Sequence, residues 1–387
     1  MLHLVIERAV YQTLLNEYLS KMKVAIYLAS LSGGGAEKMM IKVANYLSSV
    51  GHEVDLLVCR RQGEYFDLVN DEVNVIVFDV NKVSKSLLKL VEYLTRVNPA
   101  ALLSAMNYVN AVAAVAIFLA RCETKHVASE RSHFSSRYSK LNCFKKIFFN
   151  KFMRWCYARS EKVVAISEGV KIDLCKTINL DTSKVVVIYN PAYPDDLFER
   201  LGCSVDKGVM GDLNKKYIIS VGRLEPAKGC FNLLDAISLI SDKRNIEFII
   251  LGKGSLEESL KSYCKDLKIE NMVSFIGFKI NPYPYISRAN VLVLSSEFEG
   301  FGNVLVEAMA CGTSIVATDC PSGPTEILDN GRWGTLVPIN DAQALAIGIE
   351  KSLSDDDGNI DVELRAKEFS IKKIGKQYLA LLEFNWS

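Results

Sequence analysis

From Met22 onward, short β-branched runs take turns with stretches of helical spacing. "KVAIYLA" leads into a glycine loop and then "AEKMMIKVANYLSSVG", where apolar residues recur every three or four positions. "HEVDLLVC", "VNVIVFDV", "AALLSAM", "KHVASE", "KVVAIS" and "KVVVIYN" read as further strands, with "LLKLVEYLTRV" as a helix among them. "YNPAYPDD" and the polar "LGCSVDKGVMGDLNKK" break the rhythm, which marks a linker over about residues 190–215. The alternation then restarts with "YIISVG", "NLLDAISLIS", "IEFIILG", "LEESLKSYCKDL", "MVSFIG", "VLVLS", "NVLVEAMACG" and "SIVATD", and "SIKKIGKQYLALLEF" closes it as a helix. Strands spaced by helices of this length predict an α/β chain with two doubly wound parallel sheets in tandem. The expected organisation is an N-terminal extension over 1–21, a first domain over 22–195 and a second over 196–369. The closing helix 370–387 is expected to pack back on the first domain. Sheets of this kind bind ligands beyond the carboxyl ends of their strands, so the expectation is two domains facing a cleft.

A chain of 387 residues exceeds the usual size of a single core, in keeping with two domains. A net charge of +1 gives no bulk attraction to nucleic acid, so none is expected as a partner. Ten cysteines without a C-x-x-C pair, and four histidines (His3, His52, His126, His133) without ligand spacing, predict reduced thiols in a cytosolic protein and no metal. The apolar run Ala111 to Ala120 is about half of what a bilayer span needs and reads as a buried helix. The first 21 residues lack the basic start and small-residue cleavage site of a signal peptide, and Met22 reads as the natural start of the domain.

Two stretches carry candidate chemistry. In "SVGRLEPAKG", a strand ends at Gly222 and two cations, Arg223 and Lys228, follow in the loop, an arrangement suited to a diphosphate. In "SSEFEGFGNVLVEAMACG", Gly300 and Gly302 keep Glu299 on a loop, while a helix starting near Asn303 puts Glu307 about one turn in. Between the two acids lies a helix N-terminus, where unpaired N–H groups attract anions. Acid, anion site and acid in that order match the hexose, phosphates and ribose of a nucleotide sugar. "GKG" at Gly252–Gly254 lacks the third glycine and the acid of a dinucleotide fingerprint, and reads as a tight turn lining the nucleotide pocket.

With "EGFGNVLVEAMACGTSIVAT", "VGRLEPAKG" and "SGGGAEKMMIKVANYL" in this order, the chain from Met22 almost to its end resembles the group 1 (family 4) retaining glycosyltransferases. "TDCPSGPTEIL" and "NGRWGTLVP" are similar to the bacterial branch that builds O-antigen, capsule and related lipid-linked glycans. The resemblance implies the GT-B fold, with two Rossmann-like domains, and transfer with retention by front-face substitution. It implies that Glu307 binds the ribose, Glu299 the donor sugar, and Arg223 and Lys228 the diphosphate beside Gly222. Phe301, Gly302 and Asn303 would present backbone amides, and Gly33, Gly34 and Gly35 would face the phosphates and acceptor. No metal or other cofactor is implied, so Asp355–Asp357 reads as a surface loop. Many such enzymes carry a histidine after the strand equivalent to "HVASE"; here Arg131 aligns with it and His133 lies two positions on. Glu130 and Arg131 are therefore expected beside the acceptor, with His126 structural.

Residues 137–159, "RYSKLNCFKKIFFNKFMRWCYAR", hold seven cations and no acid. At helical spacing Phe144, Phe148, Phe152 and Trp155 share a face flanked by Lys145, Lys146, Lys151 and Arg154. That is the pattern of a helix lying on anionic lipid. The combined expectation is a peripheral enzyme on the cytoplasmic face of a bacterial membrane. It would move a hexose or N-acetylhexosamine from a UDP-sugar to a polyprenyl-diphosphate-linked glycan. The alternatives are a transferase with a soluble or different lipid acceptor, or a nucleotide-sugar epimerase of the same fold. An oxidoreductase would need a fingerprint that "SGGGAEK" does not supply.

Overall fold

The computed structural model describes residues 21–32, 34–138, 142–206, 208–212, 214–242, 244–354 and 361–383. The expected N-terminal extension (apart from Lys21), Gly33, Lys140, Asp355–Asp357 and the end of the closing helix (384–387) lie outside the described residues.

Seven parallel strands form the first sheet: β1 (Lys23–Leu28), β2 (Glu53–Val58), β3 (Asn74–Val77), β4 (Ala101–Ala105), β5 (Lys125–Glu130), β6 (Lys162–Ala165) and β7 (Val185–Val187). Their order is β3-β2-β1-β4-β5-β6-β7. Six parallel strands form the second: β8 (Lys216–Val221), β9 (Ile246–Leu251), β10 (Val273–Gly277), β11 (Val291–Leu294), β12 (Ser314–Thr318) and β13 (Thr335–Val337), in the order β10-β9-β8-β11-β12-β13. The central strands are apolar along their length because both faces are covered. In β4 and β11 every residue is buried, and in β1 all but the first. Register is continuous, with Ile218 opposite both Phe248 and Val291. Around the second sheet, Ile218, Phe248, Ile250, Val291 and Val293 pack against Leu233, Leu234 and Ile237 of the helix Cys230–Leu239.

The strand order fixes where a ligand belongs. In each sheet the winding reverses beside its first strand, between β1 and β4 and between β8 and β11. The loops leaving the carboxyl ends of such a pair splay apart and leave a crevice. Beyond β8 and β11 those loops are "GRLEPAKG" and "SSEFEGFG".

The sheets change over between Val187 and Lys216, where the sequence places its linker. That segment is not wholly irregular, because it holds the short helix Leu197–Leu201, and Asn281 Nδ2 donates to the Arg200 carbonyl at 2.8 Å. The chain divides into two compact units that do not follow the change of sheets: residues up to 128 with 159–161, and residues 129–158 with 162–387. Segments after β5, β6 and β7 belong to the second unit because they bond to later residues. Ser167 Oγ donates to the Gly300 carbonyl at 2.8 Å, and Tyr193 N–H to the Phe369 carbonyl at 3.1 Å.

Candidate active site

All the geometry of the β8 and β11 loops lies within the second unit. A 3-10 turn, Pro226–Lys228, follows β8 and ends at Gly229 with φ +61°. A Cβ at Gly229 would stand 2.0 Å from the Ser295 carbonyl oxygen, so glycine is what lets the two loops meet. They are joined by Ser295 Oγ donating to the Lys228 carbonyl at 2.9 Å and Glu297 N–H donating to the Ala227 carbonyl at 2.9 Å. This contact delivers Lys228 to Glu299: Nζ donates to Oε1 at 2.5 Å, with Ser296 Oγ donating to the same oxygen at 2.7 Å. Arg223 is exposed at the same pocket, which Gly222, Ser295 and Ser296 also line. Burial, and after it the Glu299 charge, pushes the Cys320 thiol up to about 12.

Gly252 and Gly254 prove to be clearance residues. A Cβ at Gly252 (φ +146°) would lie 1.8 Å from the Gly222 carbonyl oxygen, and one at Gly254 2.2 Å from that of Leu224. Leu224 N–H donates to the Lys253 carbonyl at 3.0 Å, so "GKG" shapes the loop that carries Arg223 and Lys228.

The helix Asn303–Ala310 begins where the sequence puts it. Gly302, at φ +100°, occupies the residue before it in the left-handed region. Gly300 passes so close to Arg131 that a Cβ would come within 2.4 Å of the Arg131 carbonyl oxygen. The Phe301 ring is buried against Tyr189 and Phe369, at 5.5 and 5.4 Å between centroids. Asn303 Oδ1 accepts from Asn190 Nδ2 at 2.7 Å. Glu307 is buried, and its Oε1 accepts from the Tyr283 hydroxyl at 3.2 Å. Burial, followed by the Glu307 charge, raises the Tyr283 phenol far above its ordinary range, which keeps it a donor to that carboxylate.

Glu130 is fully buried at the end of β5. Its carboxylate accepts from the Tyr157 hydroxyl at 2.7 Å, Arg131 N–H at 3.1 Å and Ser132 Oγ at 3.1 Å, so its bonds brace the turn that carries Arg131. Arg131 Nη1 reaches Ser129 Oγ at 3.3 Å and, on the closing helix Ile371–Glu383, the Tyr378 hydroxyl at 3.5 Å. His133 Nδ1 contacts Asp173 Oδ2 at 3.4 Å and Ser136 Oγ at 2.9 Å.

In the first unit, Gly34 precedes the helix Gly35–Ser49 at the carboxyl end of β1, and a Cβ on it would strike the Glu37 carboxylate at 2.0 Å. His126 is structural: Nε2 meets Ser104 Oγ at 2.8 Å and Nδ1 meets Ser160 Oγ at 2.9 Å, and burial drives its pKa down to about 3.

The helix Cys143–Arg159 starts later than the charge pattern, because Phe134–Arg137 forms a short helix of its own. Of its residues up to 158, it turns Met153, Cys156 and Tyr157 inward. Phe144, Ile147, Phe148 and Phe152 face outward, with Phe144 88% and Phe148 76% exposed. Lys145, Lys151 and Arg154 are exposed beside them. Phe149, which is not part of that stripe, stacks on Phe134 at 5.8 Å. Among the described residues no helix is long and apolar enough to cross a membrane.

Sequence reasoning missed Ser296, Tyr283 and Asn190, which orient the acids and the helix start, and Ser167 and Glu326, which bond near them. Only "SGPTE" offered a signal for any of these, since a glycine-proline pair ahead of an acid marks the start of a short helix.

Residues 209–369 match the family model described as "Glycosyl transferases group 1", and residues 33–196 match "Glycosyltransferase Family 4". The chain belongs to the group 1, family 4 glycosyltransferases. The transferase is 28% identical, over 93% of its own length and 99% of the relative's, to a Campylobacter jejuni enzyme. That relative is named N-acetylgalactosamine-N,N'-diacetylbacillosaminyl-diphospho-undecaprenol 4-alpha-N-acetylgalactosaminyltransferase. It is 29% identical, over 48% of this chain and 50% of the relative, to the O-antigen chain mannosyltransferase RfbU of Salmonella typhimurium. The fold is that of Anabaena HepE, solved in complex with UDP-glucose, at a TM-score of 0.76 and 21% identity, covering 93% of this chain and 98% of that one. Two parallel α/β sheets and these neighbours make this a GT-B glycosyltransferase.

Proposed function

We propose that this glycosyltransferase moves a hexose or N-acetylhexosamine, with retention, from a UDP-sugar to a polyprenyl-diphosphate-linked glycan at an anionic membrane surface facing the cytoplasm. The observation that carries the donor half is the convergence of Lys228, Glu299 and the start of the Asn303–Ala310 helix at the reversal point of the second sheet. Lys228 and Arg223 neutralise the diphosphate, helped by the dipole of the Asn303–Ala310 helix, so no divalent metal enters this reading, and the Phe301 and Gly302 amides meet the sugar. Glu307, set by Tyr283, takes the ribose, and Glu299 takes the sugar. The bond from the anomeric carbon to the diphosphate breaks while the acceptor oxygen bonds on the same face, and the departing phosphate oxygen takes the hydroxyl proton. Arg131, beside Gly300 and braced by Glu130, stands on the acceptor side. The acceptor half is supported by the exposed aromatic and basic face of Cys143–Arg159, and by the diphospho-undecaprenol in the Campylobacter relative's name.

The test incubates the protein with a panel of UDP-sugars and undecaprenyl-diphosphate-linked glycans, reads the mass gained and assigns the anomer by NMR. A sugar added to the lipid-linked glycan with the donor's anomeric configuration is expected. Transfer only to soluble sugars, inversion, or epimerised UDP-sugar without transfer would overturn the proposal.

A further inference from the structure

Glu326 lies in the short helix Pro324–Ile327, outside the donor loop, and both its carboxylate oxygens are committed. Oε2 accepts from Glu168 N–H at 2.7 Å and Oε1 from Gly169 N–H at 2.9 Å, the first two amides of the eleven-residue helix Glu168–Ile178. The third, Val170 N–H, goes to Ser167 Oγ at 3.2 Å, and that hydroxyl spends its own proton on the Gly300 carbonyl at 2.8 Å. All of these residues belong to the second unit.

The last bond has a directional consequence. A peptide group is planar and trans, so its carbonyl and the following N–H point opposite ways and turn together. Holding the Gly300 oxygen against Ser167 therefore sets the direction of the Phe301 N–H, one of the backbone amides that the donor reading assigns to the sugar. Glu326 is itself anchored. Arg365 donates to the carbonyls of Glu326 at 2.7 Å and Ile327 at 3.0 Å, and Gly323 lies so near Phe301 that a Cβ would come within 1.9 Å of the Phe301 carbonyl oxygen. At Gly169 a Cβ would fall 2.7 Å from Ser322 Cα, so the Glu326 loop and the helix start are in direct backbone contact. The Tyr189 ring bridges the two ends, tilted against Phe301 at 5.5 Å between centroids and near enough to Glu326 to feel its charge.

We propose that Glu326 is a positioning residue for sugar transfer, acting through the Glu168–Val170 turn and Ser167 to aim the Phe301 amide at the donor sugar. The inference deepens the donor reading above and rests on it. Glu326→Ala removes both acceptors. Glu326→Gln keeps the shape but sets an amide NH2 against one of the two N–H groups.

Because the amide direction matters to the reacting sugar and not to the nucleotide, kcat is expected to fall about 10- to 100-fold, as misplacement of a positioned group does. UDP affinity by calorimetry should stay within about twofold, the mark of an interaction spent on the transition state. Hydrogen exchange should quicken both at Glu168–Val170 and at Phe301–Asn303, and Ser167→Ala should quicken Val170 and Phe301–Asn303 while Glu168 and Gly169, still held by Glu326, stay slow. If Glu326→Ala does not fold, Glu326→Gln decides. A kcat within about twofold of wild type, equal losses in kcat and UDP affinity, or exchange unchanged at Phe301–Asn303 would each overturn the proposal. If the wild type transfers from no UDP-sugar, the donor reading fails by itself, and the exchange data still report whether Glu326 controls the loop.

Discussion

Consider the double substitution Phe144→Ser with Phe148→Ser. Both rings stand off the body of the protein, 88% and 76% exposed, so removing them takes nothing from the core and the fold should melt as before. A Phe side chain moved from water into an apolar phase gains about 2 kcal/mol. Two rings seated among lipid headgroups and upper acyl chains then supply about 4 kcal/mol, close to a thousandfold in vesicle partitioning. The exposed cations Lys145, Lys151 and Arg154 add about 1 kcal/mol each on anionic lipid, about a hundredfold together. The two contributions differ in how they respond to salt, since an exposed charge is screened over a Debye length of about 10 Å at 0.1 M and an apolar contact is not. Cosedimentation with phosphatidylserine-containing and neutral vesicles, at low and high salt, separates them. The serine variant should lose binding at every salt concentration. A Lys145, Lys151 and Arg154 charge-reversal variant should lose it mainly at low salt on anionic vesicles. Wild-type partitioning by the serine variant would mean that the outward rings meet something other than lipid.

Three more outcomes follow from the interior. Glu307→Ala should weaken UDP binding about tenfold by calorimetry, the size of one charge-assisted hydrogen bond, and unchanged affinity would remove Glu307 from the nucleotide site. His126 should make stability depend on pH: the unfolded chain takes up its proton as pH falls through about 6.5, while the folded one refuses it down to about 3. Stability should therefore drop by about 1.4 kcal/mol per pH unit as pH falls from about 6.5 towards 3, and a urea midpoint whose slope between pH 6.5 and 5 survives in His126→Gln would refute the assignment. Gly300→Ala should impair folding or turnover, because the new methyl must displace the Arg131 carbonyl oxygen 2.4 Å away, and a variant with wild-type melting and rate would show that loop to be slack.

Much of this was legible in the chain because the deciding signals are local. Among the described residues, twelve of the thirteen strands stand where the β-branched runs predict them, since a strand buried on both faces must be apolar along its length. Thr335–Val337 escaped as a strand because three residues carry no period. The helix start at Asn303 could be read from Gly302, whose positive φ has a direct residue signature. The partners of the acids could not. Tyr283, Asn190 and Glu326 lie 24, 113 and 157 positions from the groups they bond, and nothing local marks a tyrosine or an asparagine as belonging to a distant carboxylate or helix start. The charge pattern at 137–159 was visible. Which aromatic rings turn outward was only partly so, because Trp155, read on the same face, is half-buried and stacks on Phe152.

The two glycines of "GKG" carry a lesson for mutational surveys of this enzyme. Substituting Gly252 or Gly254 would abolish donor use as surely as losing Lys228, since either Cβ collides with the main chain of the cation-bearing loop. A scan scored by activity alone would then credit the nucleotide with contacts to residues that have no side chain to offer. Gly222 provides the control. A methyl there meets nothing nearer than 3.9 Å, so a loss at Gly222 would report on what the pocket holds, while a loss at Gly252 reports on how the pocket is built.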